Sequence, residues 1–339
     1  MTTIIAVLIV IGIVVFVHEL GHFLAARWAG ARVDVFSIGF GRPIIKWNDS
    51  KDTEWRISWI PLGGFVSVYG HGDMFDRKKF DELPANKKLG HYLSLAAWKR
   101  ALIIGAGAFM NLVLAWVIYS GLFMAPRTVQ MPIVGEVENS ELVAGDRIMQ
   151  VGEKRVQTWG DMLVAKELNV NKEVSLLVLR GENLTRVTMP AGVWGIAPDM
   201  ERTEVVRYGF FGAIERGAVE LWTQSRLMVT ILAQIITGER PARQLGGLLR
   251  IAEFSGQALS AGIIAFLSLI ALISVNLGII NLMPLPALDG GYLVMLAIEG
   301  VTGKKLEGKA MTWVMYIGWG LLISLIALTF WNDIVRLIS

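Results

Sequence analysis

Four long apolar stretches limit the folds open to this sequence, at roughly residues 3–26, 101–124, 261–283 and 311–331. A helix needs about 20 consecutive apolar residues to cross the hydrocarbon core of a bilayer, and each stretch is close to that length. The chain is 54% hydrophobic and only 18% charged, which is too apolar for a soluble protein of 339 residues. We therefore predict a polytopic α-helical membrane protein with four transmembrane helices.

The distribution of Lys and Arg predicts how these helices are oriented, because cytoplasmic flanks are enriched in both. Basic residues follow the first stretch closely and recur up to residue 100. This places both termini and residues 125–260 outside, and residues 27–100 and the short loop with Lys304, Lys305 and Lys309 inside. The first stretch lacks the basic region and small-residue cleavage site of a signal peptide, so we expect it to be retained as a helix over residues 1–28.

The inner segment, residues 29–100, begins with a hairpin pattern. Alternating stretches start at Val33 and Glu54 and are separated by an Asn-Asp-Ser-Lys-Asp turn. Gly63 and Gly64 lie in the bent strand that follows, where glycine allows close backbone approach. We expect a membrane-associated β-sheet, followed over residues 75–100 by a surface helix. A solvated linker is the alternative for the second part.

The remaining segments predict one folded domain and two connections. Short strands separated by turn residues indicate a small β-rich domain over 128–195. An amphipathic pattern over 205–238 predicts a helix at the outer membrane interface, followed by a loop to residue 260. Residues 284–310 read as a Pro-rich loop and a short cytoplasmic segment.

Charge and cysteine content exclude several classes of site. The net charge is +3 without a dense basic stripe, which argues against a nucleic-acid partner. The sequence has no cysteine, so disulfides and thiolate metal sites are excluded. A bound transition metal would have to use histidine nitrogens and carboxylate oxygens.

Residues 18–22 read His-Glu-Leu-Gly-His and fit the pattern H-E-x-x-H. On a helix, His18 and His22 project from one face one turn apart, so both can bind a single Zn²⁺. Glu19 lies beside them, where it can take a proton from the water that the metal activates and pass it to a leaving amine. The alternative is that these side chains lie at a helix end and are merely hydrated, which leaves their spacing unexplained.

A catalytic zinc usually has three protein ligands, so the two histidines require a third residue. His71 and His91 lie in the polar segment, away from any predicted membrane helix. Asp289 follows a Pro-rich stretch at the inner end of the third span, on the same side as the histidines. Prolines break the helix there and glycines permit a tight turn, so Asp289 can point back toward the metal. An ordinary turn aspartate is the alternative.

Asn276 and Asn281 place amide groups inside the otherwise apolar third span. They can orient the backbone of an extended substrate, or they can join neighbouring helices by hydrogen bonds. Asn111 in the second span is open to the same two interpretations.

At these residues the chain resembles the site-2 protease family of intramembrane zinc metalloproteases, specifically the bacterial regulator of sigma-E protease type. The resemblance extends over nearly the whole length and rests on the following motifs: His-Glu-Leu-Gly-His at 18–22, Phe-Ser-Ile-Gly-Phe-Gly at 36–41, Pro-Leu-Gly-Gly-Phe-Val at 61–66, Gly-Ala-Gly at 105–107 with Asn111, Leu-Ile-Ser-Val-Asn-Leu-Gly-Ile-Ile-Asn-Leu at 272–282, and Pro-Leu-Pro-Ala-Leu-Asp-Gly-Gly at 284–291.

The resemblance implies roles for particular residues. One Zn²⁺ per chain would be bound by His18, His22 and Asp289, with Glu19 as the general base. The substrate path would be lined by Asn276, Asn281, Pro284 and Pro286. A substrate would add as a strand to the sheet around 55–68, which contains Gly63 and Gly64 and matches the edge-pairing mode of peptide recognition.

The resemblance also implies a PDZ-like α+β domain outside the membrane, at residues 128–195. Close relatives often have two such domains, whereas this chain has room for one. It lacks most of the usual Ala-rich helix between Glu138 and Gly145, so a filter that excludes bulky substrates is a better expectation than capture of C-terminal peptides. Two Gly-Pro positions of the family read Gly107-Ala108 and Gly247-Leu248 here, and we expect this to change loop rigidity without affecting the metal site.

The resulting hypothesis is regulated intramembrane proteolysis in the bacterial inner membrane. The expected partners are single-span membrane proteins, such as an anti-sigma factor or leftover signal peptides, and an upstream site-1-type protease. The competing hypothesis is a non-catalytic membrane scaffold with a structural metal and a partner-binding PDZ-like domain, but a structural site has no need of Glu19. A metal sensor or transporter would require a ladder of intramembrane ligands that the spans lack.

Overall fold

The computed structural model describes residues 2–72, 74, 76–138, 140–169, 171–192, 194–241, 246–303 and 309–338. The chain forms two compact units. One consists of Met1–Ile118 with Arg243–Ser339, and the other of Tyr119–Ala242. The predicted inner loop with Lys304 and Lys305 lies outside the described residues.

Four helices of the described chain are long and apolar enough to cross a membrane, as predicted. They are α1 (Thr2–Ala29), α4 (Ala97–Met124), α8 (Ile263–Asn281) and α10 (Lys309–Ile338). Helices in lipid associate through close packing of small residues. A Cβ atom added at Gly21 would lie 2.3 Å from the carbonyl oxygen of Ala106. The backbones of α1 and α4 therefore lie in close contact at Gly21, within the His-Glu-Leu-Gly-His motif.

The predicted sheet is a long hairpin of β1 (Val33–Asn48) and β2 (Glu54–Val68). Both strands bend, because Phe36 pairs with Trp55 and also with Val66, while Trp55 pairs in addition with Trp47. Residues 35–38 thus lie between 54–57 and 64–68. Among the described strands, 64–68 pairs along one edge only. This unpaired edge borders the C-terminal half of α1, since a Cβ atom added at Gly64 would lie 3.3 Å from Glu19 Cγ.

The turn of the hairpin is bound to the C-terminal end of α1. Arg27 donates to the Asp49 carboxylate, and Trp55 Nε1 donates to it at 2.9 Å. Burial alone would raise the pKa of Asp49, but hydrogen bonds from Trp55, from two backbone amides and from Arg27 lower this pKa to about 2. Asp49 is therefore ionised at neutral pH and holds the sheet beside the helix.

The single surface helix predicted over 75–100 is wrong. The segment instead forms α2 (Arg77–Asp81), α3 (Ala85–Lys88) and a 3₁₀ helix (Tyr92–Ser94) before α4 begins at Ala97. Pro84 precedes α3, and Gly90 has φ +71°. Both interrupt helical periodicity, since proline lacks an N–H and glycine readily adopts a left-handed conformation.

Two segments predicted as loops are helical. Residues 248–261 form α7 (Leu248–Ala261), and the segment after the prolines continues as α9 (Asp289–Thr302). The N-terminus of α7 is capped from far along the chain, because the buried Asp333 carboxylate accepts from the N–H groups of Gly247 and Leu249 at 3.2 and 3.1 Å. A cap that comes from α10 leaves no signal in the local sequence.

The second unit contains most of the strands. In chain order, its elements are β3 (Arg127–Gln130), β4 (Val134–Val137), β5 (Arg147–Val151), β6 (Lys154–Arg155), α5 (Trp159–Leu168), β7 (Val174–Arg180), β8 (Asn183–Met189), β9 (Ile196–Pro198), β10 (Thr203–Val206) and α6 (Phe210–Ile236). Strands pair in the order β6-β5-β7-β8, with β9 on β4 and β10 on β3. The strands continue past the predicted boundary at 195, because the last two return to pair with the first two.

The core of this β-rich unit is a cluster that includes Ile148, Met162 and Leu176, each at most 1% exposed. A PDZ fold for it stays a prediction. The predicted amphipathic helix corresponds to α6, which buries Ala213 and Gly217 and exposes large apolar side chains such as Trp222. Its place at a membrane surface also stays a prediction.

Candidate metal centre

The two histidines of α1 lie side by side as the i, i+4 spacing predicts. Their Nε2 atoms are 3.2 Å apart, and the ring planes are nearly perpendicular at 84°. His18 is buried, with 8% of its surface exposed.

Asp289 meets both histidines. Its Oδ2 atom lies 3.4 Å from His18 Nε2 and 3.5 Å from His22 Nε2. The structure therefore brings together the three predicted ligand residues, two from α1 and one from the segment that follows α8.

The Pro-rich connection turns the chain back so that Asp289 can reach α1. After α8 ends, the chain passes Pro284 and Pro286, and Ala287 adopts φ +78°, which side chains other than glycine rarely adopt. A Cβ at Gly290 would lie 2.3 Å from the carbonyl oxygen of Leu282. Only glycine allows α9 to start this close to the end of α8.

The three donor atoms fit a tetrahedral zinc ion. Bonds of about 2.0–2.1 Å from zinc to nitrogen or oxygen imply about 3.3–3.4 Å between the ligand atoms of a tetrahedron. The observed separations are 3.2, 3.4 and 3.5 Å. Asp289 Oδ2 is buried without a hydrogen-bond partner. A buried carboxylate oxygen facing two imidazole nitrogens needs a cation or a proton, since lone pairs at this distance otherwise repel.

The orientation of His22 is set by the backbone of α4. Its Nδ1 lies 2.8 Å from the carbonyl oxygen of Ile103. A carbonyl can only accept, so Nδ1 carries the proton and Nε2 presents its lone pair toward Asp289.

Glu19 lines a cavity of about 180 Å³ beside this cluster. The cavity is enclosed by residues from α1, the unpaired strand edge, α4 and α9, and they are Glu19, His22, Phe65, Val66, Val68, His71, Ile103, Ile104, Asp289 and Tyr292. The backbone of Val66 lies against the Glu19 carboxylate. A Cβ at Gly64 would lie 3.3 Å from Glu19 Cγ and 2.7 Å from the Ser37 carbonyl oxygen. Glycine there lets the strand approach the acid.

His71 and Tyr292 line the same cavity, although the sequence analysis placed His71 away from any membrane helix and did not single out Tyr292. The expectation for His71 is wrong, because the bent hairpin returns the chain to α1, and His71 lines the cavity beside Glu19 and His22. Burial, followed by the nearby His22, lowers the pKa of His71 to about 4, so its ring is neutral at pH 7. Tyr292 lies one turn after Asp289, a spacing that could have indicated it.

The other predicted substrate residues lie at different distances from the cluster. Asn281 is adjacent, with Nδ2 3.5 Å from His18 Nε2. Asn276 lies on the same helix and is half-buried. Pro286 packs against Gly318 of α10, where an added Cβ would lie 2.3 Å from the Pro286 Cβ. Pro284 is exposed. Their roles toward a substrate stay predictions.

Replacing Gly107 by alanine is expected to weaken zinc binding by at least about 10–100-fold, the loss typical when groups that orient metal ligands are mutated. The added Cβ would lie 2.3 Å from His22 Nε2 and 2.8 Å from His18 Cε1. Gly121→Ala on the same helix is the control, because its Cβ would meet nothing within 4 Å. Zinc affinity, measured by chelator competition, should fall only in the Gly107 variant. Equal affinities for the two variants would contradict the packing described here.

Comparisons with known proteins agree with this site. Residues 6–325 match the model of Peptidase family M50. The chain is 33% identical to a protein of Agrobacterium fabrum named "Putative zinc metalloprotease", with 98% of this chain and 95% of that protein covered. A Rickettsia conorii protein of the same name is 32% identical over 100% of both chains. "Zinc metalloprotease RasP" of Bacillus licheniformis is 29% identical, covering 99% of this chain and 100% of that protein.

The matches extend across both units and include the segments that carry the histidines and the aspartate. The expected resemblance to site-2 proteases is therefore confirmed. The chain belongs to peptidase family M50 and is a membrane-embedded zinc metalloprotease.

Proposed function

We propose that this protease hydrolyses peptide bonds in or near the transmembrane segments of single-span membrane proteins. One observation carries the proposal. The His18, His22 and Asp289 cluster lies between helices that are long and apolar enough to cross a membrane, beside a strand edge with no partner among the described strands. Ionisable groups at membrane depth are costly, and they persist mainly where they pair, ligate or react.

The ligand set is His18, His22 and Asp289, holding one zinc ion per chain. Bound there, zinc would supply the Lewis acidity that polarises water and a scissile carbonyl. The protein contributes two imidazoles and a carboxylate already at tetrahedral spacing, so little reorganisation opposes binding.

Glu19 is the general base. It projects from the helix that carries both histidines and lines the cavity together with His22 and Asp289. Its carboxylate can accept a proton from the attacking water and return it to the leaving amine. Neutral His71 and Tyr292 line the same cavity and are close enough to contact a substrate there.

The substrate binds as an added strand along residues 64–68. A transmembrane helix satisfies its own amides and shields its carbonyls, so it must be extended before water can attack. An unpaired strand edge offers the N–H and C=O groups that an extended segment needs in place of its helical hydrogen bonds. Gly64 lets this strand lie close to Glu19, because a Cβ there would be 3.3 Å from Glu19 Cγ. Gly63 belongs to the same strand, and Asn281 supplies an amide next to the cluster.

The proposed setting is the bacterial cytoplasmic membrane, with both termini and the β-rich unit outside. In this orientation the β-rich unit excludes proteins with bulky outer domains, so that an upstream site-1-type protease must trim the substrate first. Anti-sigma factors and leftover signal peptides have the required form, a single span with a short outer segment.

The test uses purified protein in lipid vesicles with a single-span reporter whose span contains either a Gly-Gly or a Leu-Leu pair near the cleavage site. Glycine lowers helix stability by about 1 kcal/mol per residue. We expect the Gly-Gly reporter to be cleaved about 5–30-fold faster, a factor that corresponds to 1–2 kcal/mol.

The control is the same exchange at the far end of the span, which should leave the rate unchanged. Product masses locate the cut, and Glu19→Gln protein gives the background. Cleavage confined to soluble loops, or equal rates for the two reporters, would argue against an intramembrane substrate that must unwind.

A further inference from the structure

We propose that Asn111 is a positioning residue that fixes the tautomer of His18 by accepting a hydrogen bond from its Nδ1–H. The inference deepens the proposed function, since it rests on His18 being a zinc ligand through Nε2. The amide acts on the metal only through this ring, and no contact with substrate is required.

Asn111 lies on α4 and is fully buried, at 0% exposure. One end of its side-chain amide lies 3.2 Å from His18 Nδ1, and the atom at that end is assigned as Nδ2. The Oδ1 atom at the other end is buried without a hydrogen-bond partner. The nitrogen and oxygen of an amide occupy nearly the same positions after a 180° flip, so the assignment follows from the hydrogen bonds that each choice permits.

The two choices have opposite consequences for His18. If Nδ2 donates to Nδ1, the neutral ring must carry its proton on Nε2. That proton would then point into the triangle where His22 Nε2 lies 3.2 Å away and Asp289 Oδ2 3.4 Å away. If the amide is flipped, Oδ1 accepts from Nδ1–H and Nε2 presents a lone pair. The flipped amide also gives the buried oxygen a donor, and it leaves the Nε2 lone pair free for the metal.

His22 is held by the same arrangement, because its Nδ1 lies 2.8 Å from the Ile103 carbonyl oxygen. Ile103 and Asn111 both belong to α4, about two helical turns apart. This helix therefore supplies an acceptor to the Nδ1 atom of each histidine. Second acceptors of this kind orient metal-bound imidazoles and raise their basicity.

The backbone of Asn111 is fixed as well. Ser274 Oγ on α8 donates to its carbonyl oxygen at 2.8 Å, and Ser274 is completely buried. This contact holds α4 against α8 without involving the amide. Asn111 thus contributes to helix packing through its backbone and to the orientation of His18 through its side chain. Removing the Ser274 hydroxyl affects only the first of these and is a matched control.

The experiment compares zinc affinity by chelator competition in Asn111→Leu, Asn111→Asp and Ser274→Ala proteins, each purified as the full chain. Leucine keeps the volume and removes the acceptor, so we expect affinity to fall about 10–100-fold. Aspartate retains an acceptor for Nδ1–H and should stay within about threefold of the wild type. Ser274→Ala should also stay within that range. Equal losses in the leucine and aspartate variants, or none in leucine, would overturn the proposal.

A measurement on the wild-type protein tests the same proposal even if a variant fails to fold. With only four histidines in the chain, nitrogen NMR of ring-labelled zinc-bound protein can identify the protonated nitrogen of His18. We expect a proton on Nδ1, and a proton on Nε2 would overturn the proposal. If the wild type binds no zinc at this cluster, the proposed metal centre fails with it. If the wild type binds zinc and Asn111→Leu binds equally well, only the role of Asn111 fails.

Discussion

Replacing Glu19 by glutamine is expected to reduce reporter cleavage by about 10²–10⁴-fold, the contribution typical of a general acid–base residue. Glutamine has nearly the same shape as glutamate but cannot accept the proton of the attacking water. Because Glu19 faces the cavity and is not among the three clustered ligand residues, zinc affinity should remain within about twofold. The measurement pairs a vesicle cleavage assay with metal analysis of the same preparation.

Glu82→Gln is the matched control, because Glu82 is exposed and lies in the same segment of the chain as the inner sheet. It should cleave at the wild-type rate. Glu19→Asp retracts the carboxylate by one methylene and should retain partial activity. A wild-type rate in Glu19→Gln would remove the catalytic assignment and favour a metal site with a purely structural role.

The membrane helices could be predicted because their signal is local. Each spanning helix is a single apolar run whose length is set by the bilayer, so α1, α4, α8 and α10 begin and end near the expected residues. The signal for the paired histidines was equally local, because residues at i and i+4 of a helix lie on the same face. Predicting the position of Asp289 required one long-range step, and the signal came from the prolines that precede it and the glycines that follow it.

The remaining contacts of the site depend on pairings that leave no local pattern. His71 enters the cavity only because β1 and β2 bend so that Phe36 pairs with two different parts of β2. The acceptor for His22 is the backbone carbonyl of Ile103, and backbone groups look the same in every sequence. Similarly, α7 is capped by Asp333 from another helix. Such features follow from packing and are not encoded in residue spacing.

The structure changes the interpretation of Gly107 and Ala108, where the chain departs from the Gly-Pro pattern of the family. The sequence showed alanine at position 108 where the family has proline, and this suggested a change in loop rigidity. Both residues lie inside α4, where there is no loop to stiffen. Gly107 itself faces the two imidazoles, and its missing side chain is the space they occupy. We therefore expect Gly107 to affect the proposed metal centre whichever residue follows it.

Replacing Asp289 by alanine is expected to abolish both zinc binding and cleavage, because two imidazoles alone leave a catalytic zinc one protein ligand short. Its effect on the metal-free protein should be small or stabilising. The Oδ2 atom is buried without a hydrogen-bond partner, and removing an unsatisfied buried polar atom relieves a desolvation cost. Against this gain stands the loss of a negative charge in the first turn of α9, which contributes about 0.3–1 kcal/mol.

Thermal unfolding with and without zinc separates the two effects. A ligand present at about 1,000 times its Kd stabilises the folded state by about 4 kcal/mol. The wild-type midpoint should therefore rise on adding zinc, and that of Asp289→Ala should not. Asp289→Asn is the matched control, because it keeps the shape and one weak oxygen donor, and its zinc response should be intermediate. A full zinc-dependent rise in the alanine variant would mean that the ion binds without this carboxylate, so that the convergence of α1 and α9 would have to be explained by packing alone.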